Sequence, residues 1–424
     1  MNAADVHRAI ETVFRMESPR LIAGLARIVR DVGLAEQLAQ DALVAALEQW
    51  PRDGIPNNAG AWLMGAAKRR AIDHLRRERL RGRKEEELGH ALEAEQERAV
   101  PEIEAAIDED VGDDLLRLVF ASCHTLLSRE ARVALTLRLL GGLSTDEIAR
   151  AFLVPEATIA QRIVRAKRTL AEARVPFEVP RGPERTARLA SVREVVYLVF
   201  NEGYSATAGD EWVRPGLCED ALRLGRVLAE LAPEEPEVHG LVALMEIQAS
   251  RTRARVAPSG EPVLLFEQNR ALWDRVLIAR GLAALERAER LGGARHPYAL
   301  QAAIAACHAR ARTPEETDWP RIVSIYDELA RAAPSPVVEL NRAVAVSMAR
   351  GPAAGLAIVD ALVSEPALAG YQLLPAVRGD LLAKVGRVEE AAVELERAAS
   401  LTQNAQQRSM LLGRAAELRQ SASG

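Results

Sequence analysis

Residues 143–170 read LSTDEIARAFLVPEATIAQRIVRAKRTL, and this stretch decides the fold prediction. Its pattern predicts two short helices joined by a tight turn. Ser144 or Thr145 can cap the first helix, and Pro155 suits the first position of the second because its missing N–H is not needed there. The apolar positions of the second helix follow helical spacing: Ile159, Ile163, Ala166 and Leu170. The stretch therefore predicts a helix-turn-helix.

The other face of the second predicted helix is polar and basic. Its side chains are Thr158, Gln161, Arg162, Arg165, Lys167 and Arg168. Arg and Gln can form hydrogen bonds to base edges in a major groove, and further cations can neutralise phosphates. The alternative is an ordinary helical hairpin with a solvated basic face. Because capping, turn and basic face agree, the pattern favours DNA binding.

The composition of the chain favours an all-α protein with more than one domain. The 424 residues exceed the size of one small domain, aromatic residues are scarce at 4%, and β-branched residues do not form alternating runs. The net charge of −5 means that nucleic-acid binding depends on local basic patches.

Composition and motifs also argue against several other classes of protein. Cys123, Cys218 and Cys307 are widely separated, without metal-ligand spacing, and no glycine-rich phosphate loop occurs. We therefore expect no metal, no cofactor and no catalytic residues. The N-terminus lacks the apolar segment of a signal peptide, and no run reaches the length of a membrane span. The expectation is a cytoplasmic protein that is not membrane-bound.

The first 84 residues predict a helical domain with a basic end. A helix over residues 34–50 would place Ala35, Leu38 and Trp50 near one face, and turn-forming residues follow from 51 to 60. The next predicted helix starts near Ala61 and becomes strongly basic. We select four of its cations as candidate phosphate contacts: Lys68, Arg69, Arg76 and Arg77.

The remaining chain divides into three further segments. Residues 85–114 contain thirteen acids against one Arg and predict a flexible acidic linker. Residues 115–175 form the domain that contains the helix-turn-helix. After a Pro-rich joint, residues 184–424 predict helical-hairpin repeats of tetratricopeptide type, on weak self-similarity near a period of about 34 residues. A non-repeat helical bundle remains open for residues 240–310.

The order of basic helix, acidic linker and helix-turn-helix resembles the bacterial extracytoplasmic-function (ECF) sigma factors. LAEQLAQDALVAALEQW looks like their polymerase-binding helix, AWLMGAAKRRAIDHLRR like their −10 helix, and residues 143–170 like their −35 unit. FNEGYSA (200–206), LWDRVLIARGLAALERA (272–288), TDWPRIVSIYDEL (317–329) and SPVVELNRAVAV (335–346) resemble the subgroup with a fused C-terminal tetratricopeptide-like extension. The resemblance implies two small helical sigma domains and a C-terminal helical-repeat domain.

The resemblance also implies roles for particular residues. Gln40 and Asp41 match the polar pair that contacts core RNA polymerase. The loop from Asn57 and Asn58 to Gly60 matches the one that receives a flipped −10 base. Arg69 departs from the family pattern, in which Asn is common, and the two side chains differ in hydrogen-bond geometry.

The function implied is that of a sigma factor, which binds core RNA polymerase and promoter DNA to initiate transcription. The extension is expected to make an intramolecular contact with the sigma core and to regulate it. The rival interpretation is a tetratricopeptide scaffold that binds DNA without recruiting polymerase. It leaves the clamp-like helix and the basic −10-like helix unexplained, and an enzyme is a more distant alternative.

Overall fold

The structure is a computed structural model, and it describes residues 3–85, 111–152, 154–206, 208–209, 212–258 and 261–423. The chain divides into two compact units, Met1–Val196 and Tyr197–Gly424. The described elements are almost entirely helical, so the all-α prediction is confirmed. The helices of the first unit are α1 (Ala3–Val29), α2 (Val32–Asp53), α3 (Ala59–Glu85), α4 (Val111–Ser122), α5 (Arg129–Leu139), α6 (Thr145–Phe152), α7 (Glu156–Glu172) and the first part of α8 (Gly182–Tyr204).

Helices α1, α2 and α3 pack on one another around Leu25, Leu38 and Leu63, which are buried. The predicted apolar face of α2 is buried as expected. The expected break at residue 51 is wrong, because α2 continues through Pro51 to Asp53. Pro51 has no N–H to donate to the carbonyl four residues earlier, so α2 lacks one backbone hydrogen bond there and ends two residues later. The helix ends instead at Gly54, whose φ of 85° is the left-handed conformation that glycine adopts most easily.

Helix α4 begins earlier than the predicted end of the acidic linker. Val111 to Asp114 are helical, and Asp114 is buried at 3% exposure. The carboxylate of Asp114 pairs with Arg27 of α1 at 3.1 Å and with Arg117 at 2.5 Å. A carboxylate can be buried when cations compensate its charge. The linker prediction is therefore wrong for these four residues, and residues 86–110 lie outside the described residues.

The first part of α8 packs against the helices that precede it. Ser191 donates a hydrogen bond to the carbonyl oxygen of Cys123 at 2.9 Å, and Arg132 donates to Ser191. Glu194 pairs with Arg129 at 3.1 Å. These contacts join the start of α8 to α4 and α5, so the first unit continues to Val196.

The second unit is a series of helices that pack mainly on their neighbours in the chain. Several begin with a proline in the first turn, where it favours helix initiation. The helices after α8 are α9 (Pro215–Leu231), α10 (Pro236–Ala249), α11 (Arg275–Arg290), α12 (Pro297–Arg310), α13 (Trp319–Ala332), α14 (Pro336–Arg350), α15 (Pro352–Leu362), α16 (Leu373–Lys384), α17 (Val388–Leu401) and α18 (Ala405–Ser423).

The series is interrupted between α10 and α11, where two 3-10 turns replace a short connection. Arg270 in this segment is 6% exposed and donates to the carbonyl oxygens of His308 and Ala311 at 2.9 and 2.7 Å. Trp273 packs into the core that α10, α11 and α12 share. The middle of the array is thus an irregular helical packing, and the tetratricopeptide type of the array stays a prediction.

A short strand pair joins the two ends of the second unit. Strand β1 (Ala208–Gly209) pairs in parallel with β2 (Gln403–Asn404). Asn404 is fully buried and donates to the carbonyl oxygen of Ala206 at 3.2 Å. The segment after α8 is therefore held against the segment before α18.

Candidate nucleic-acid interface

Local capping defines the start of the helix-turn-helix. The amide of Glu147 donates to Ser144 Oγ at 3.1 Å, and the amide of Ser144 donates to Glu147 Oε2 at 2.7 Å. This reciprocal pair is a capping box, and it selects Ser144 over Thr145 as the cap of α6. Ile148 and Ala149 of α6 are buried, as are Ile159 and Ile163 of α7, the helix on which α6 packs.

Pro155 lies one position earlier than the sequence predicts. It is the N-cap residue of α7, with φ −57° and ψ 141°, and not the first helical residue. Its carbonyl oxygen accepts a hydrogen bond from the amide of Thr158 at 2.9 Å. The fixed φ of proline and its extended ψ suit the residue before a helix as well as the first residue within one.

The four apolar positions predicted for α7 are all buried. Opposite them, three of the predicted DNA-contacting residues are exposed: Gln161, Arg165 and Arg168. The other three are half-buried: Thr158, Arg162 and Lys167. Arg168 pairs with Glu172 at 2.6 Å, but both side chains are exposed, and pairs of this kind hold little free energy in water. The exposed part of α7 therefore presents one amide and two guanidinium groups.

Val164 also lies on this exposed face, although it is not among the residues predicted to contact DNA. Its side chain is 62% exposed. It lies next to Gln161, three residues earlier, and Arg168, four residues later, because residues at these spacings are neighbours on a helix surface. An apolar side chain at this place can contact the methyl group of thymine. The signal was available in the sequence, because Val164 falls outside the buried spacing of Ile159, Ile163 and Ala166.

The predicted polymerase-binding pair lies on α2. Gln40 and Asp41 are both half-buried, and Gln40 donates to Glu36 Oε1 at 3.1 Å. Val44, one turn further along, is 53% exposed. The face of α2 opposite its buried residues thus combines polar groups with an exposed apolar side chain.

The predicted −10 residues lie in the turn before α3 and along α3. Asn57 and Asn58 are exposed, and Asn58 Oδ1 accepts a hydrogen bond from the amide of Ala61 at 3.0 Å. Asn58 therefore caps α3, which starts two residues before the predicted Ala61. The described cations of α3 differ in exposure. Arg69, Arg76 and Arg77 are exposed, and Lys68 is half-buried.

One glutamate connects the predicted polymerase-binding and DNA-binding residues. Glu36 of α2 is 4% exposed, and Arg138 of α5 donates to its Oε1 at 2.6 Å. Lys167 of α7 forms an ion pair with the other carboxylate oxygen. Gln40 and Lys167 are therefore both bonded to Glu36. In this arrangement the lysine predicted to contact DNA is engaged with α2.

These features define a helix-turn-helix protein that carries a second helical domain with a basic helix. Residues 13–81 match the family model described as Sigma-70 region 2, and residues 117–170 match Sigma-70, region 4. Residues 188–289 match a family of unknown function (DUF6596). The two sigma matches cover the three-helix group and the helix-turn-helix described above.

Two relatives show how far the similarity extends. The chain is 30% identical over 148 residues to the ECF RNA polymerase sigma factor SigK of Mycobacterium tuberculosis (strain ATCC 25618 / H37Rv), covering 34% of this chain and 74% of the relative. It is 45% identical over 390 residues to an uncharacterized protein of Rhizobium meliloti (strain 1021), covering 91% of this chain and 90% of that protein.

The chain belongs to the ECF RNA polymerase sigma factors, with an added C-terminal helical part. It directs transcription initiation, and its sigma domains imply binding to core RNA polymerase and promoter DNA. Sigma factor families are not enzymes. Among the described residues, no helix is both long and apolar enough to cross a membrane.

Proposed function

We propose that α2 binds core RNA polymerase through Gln40 and Asp41, α3 with its preceding turn binds the −10 element, and α7 binds the −35 element. We further propose that the protein acts in the cytoplasm and performs no covalent catalysis. The domains proposed for these roles are residues 1–84 and 115–175, joined by an acidic segment whose last four residues, 111–114, already belong to α4, and followed by the extension 184–424.

The exposure pattern of α2 carries the polymerase part of the proposal. Val44 leaves an apolar side chain in water within a face that contains Gln40 and Asp41. Exposed apolar groups rimmed by polar ones are typical of protein–protein interfaces. The buried face of α2 is fully used in the three-helix core, so the opposite face is the part of this helix that can meet a partner.

The DNA part of the proposal divides the cations by what each can contact. On α7, Gln161, Arg165 and Arg168 are exposed and can reach base edges or phosphates in a major groove. On α3, Arg76 and Arg77 suit phosphates near a melted −10 element. The turn at Asn57 is exposed and would receive an unstacked base. Unstacking a base costs a few kcal/mol, which contacts between the protein and the base would offset.

The extension is proposed to regulate the sigma core through an intramolecular contact. The reason for this proposal is that the extension and the sigma core are covalently linked. A tethered domain has an effective concentration that can reach the millimolar range. Even weak docking would then be populated.

Asp41→Arg is the test of the polymerase-binding face. The substitution reverses a charge at the proposed interface and is expected to cost about 2 kcal/mol or more in affinity for core polymerase. The measurement is a titration of labelled full-length protein with purified core polymerase. Asp53→Arg, at the exposed end of the same helix, is the matched control and should bind as the unchanged protein does. If Asp41→Arg binds core polymerase with undiminished affinity, this face of α2 is not the polymerase-binding face.

A further inference from the structure

A cavity of about 430 Å³ lies within the first unit, apart from the exposed faces of α2, α3 and α7. It forms where the turn between α1 and α2, the helix α4, the end of α7 and the segment after α7 come together. Its charged lining residues are Arg30, Asp31, Lys167 and Arg174. Its apolar lining includes Leu170 and Phe177. The cavity falls within the range of about 300–1,000 Å³ that is usual for small-molecule sites.

The charge of the lining is strongly unbalanced. Three cations face one carboxylate, and Asp31 already caps α2 by accepting the amide of Leu34 at 2.8 Å. The side chains of Arg30 and Arg174 are exposed and form no ion pair with any residue that the structure describes. The carboxylate of Asp31 already satisfies the N-terminus of α2, so the attraction for an anion comes from the cations of the lining.

The backbone gives a second, independent observation. Among the described residues, Arg30 and Arg174 are the non-glycine residues with positive φ, at 54° and 47°. Each follows the end of a helix, α1 or α7, a place where glycine usually adopts this conformation. A side chain there costs free energy that glycine would not. Both positions are arginine and both line the same cavity, which indicates that their side chains serve a purpose other than folding.

We propose that this cavity binds a small organic phosphate. The phosphate group lies among Arg30, Arg174 and Lys167, because guanidinium groups match phosphate oxygens in paired hydrogen bonds. The organic part packs against Leu170 and Phe177. Lys167 is shared with Glu36, so a bound phosphate competes for the same ammonium group. The site thereby connects a small anion to the contact between α2 and α7.

The test measures binding of defined probes to the full-length protein by calorimetry at low salt. The probes are adenosine triphosphate, guanosine triphosphate and inorganic phosphate. We expect at least one nucleotide to bind at least tenfold more tightly than inorganic phosphate, since only the nucleotide fills the apolar part. Equal affinities for phosphate and both nucleotides, or no binding of any probe, would overturn the proposal.

Variants locate the binding and separate it from folding. Arg30→Gly and Arg174→Gly should each weaken nucleotide binding at least tenfold while leaving the melting temperature unchanged or raising it. Arg30→Gln and Arg174→Gln should weaken binding to a similar extent. Arg20→Gln and Arg52→Gln remove exposed arginines of α1 and α2 outside the cavity and should bind normally.

The alternative is that these arginines contact DNA phosphates. Promoter affinity is therefore measured for the same variants. Loss of promoter affinity with unchanged nucleotide binding would assign the arginines to DNA and overturn the proposal. Cavity variants that bind nucleotide as tightly as the Arg20 and Arg52 controls would also overturn it.

Discussion

At the residue scale, Val164 makes a prediction about how the −35 element is recognised. Its side chain is 62% exposed on the proposed DNA-contacting face of α7. Contact with a thymine methyl group would contribute about 1 kcal/mol, or roughly fivefold in affinity. We expect Val164→Ala to lose that amount on a mapped promoter, and replacement of the contacted thymine by uracil to lose the same amount.

The combination of the two changes is the decisive part of that experiment. If the valine and the methyl group touch, the double change costs no more than either single change. Val276→Ala, which truncates a 60% exposed valine on α11 of the second unit, is the control protein and should respond to uracil as the unchanged protein does. If the fold-losses in affinity from the two single changes multiply in the double change, Val164 does not contact this methyl group.

The fate of individual residues shows what the sequence could predict. The buried positions of α7 and a cap at Ser144 or Thr145 were predictable because spacing and capping act within a few residues, and the structure selects Ser144. The burial of Asp114 was not, because it depends on Arg27, a distant residue in the chain. An acid at the edge of an acidic stretch looks solvated until its partner is known.

At the element scale, Glu36 of α2 forms ion pairs with Arg138 of α5 and Lys167 of α7. We expect this contact to restrain DNA binding by the free protein. Glu36→Gln removes the charge that holds Arg138 and Lys167. Lys167 can then contact a phosphate, so affinity for −35 DNA should rise several-fold, with a salt dependence steeper by about one counterion. Fluorescence anisotropy of a labelled −35 duplex across a salt series measures both quantities.

A control is needed because any lost acid makes the protein more cationic. Glu184→Gln removes one exposed carboxylate of the first unit, on α8, and should leave both affinity and salt slope nearly unchanged. Equal behaviour of Glu36→Gln and Glu184→Gln would contradict the restraint. Lys167→Met should cancel the gain of Glu36→Gln when the two are combined.

Element boundaries also show the limits of sequence reasoning. Helices α2, α3 and α7 were predicted, but their ends differ by one to three residues at Pro51, Ala59 and Pro155. Pro51 lies within the last turn of α2, whereas Pro155 lies just before α7. A proline in the sequence therefore does not by itself fix where a helix begins or ends. The contact of α2 with α5 was beyond prediction, because Glu36 and Arg138 are 102 residues apart.

At the scale of the whole molecule, we expect the extension to control the activity of the sigma core in the same chain. A protein ending after Val196 keeps the part of α8 that packs on α4 and α5 through Ser191 and Glu194. A cut near residue 180 would remove those contacts and confuse loss of regulation with loss of stability. We expect the 1–196 protein to initiate transcription at a rate different from the full chain at matched concentration. Circular dichroism must show that it is folded, and equal rates would rule out the control.

The most direct measurement of the central claim is transcription by purified core RNA polymerase on genomic DNA of the host bacterium, with mapping of transcript 5′ ends. We expect the full-length protein to create defined start sites that share two upstream sequence blocks, near −10 and −35. These starts should vanish with Asp41→Arg and weaken when Arg165 and Arg168 are both replaced by Gln. Start sites identical to those of core polymerase alone would contradict the role of this protein in directing polymerase to promoters.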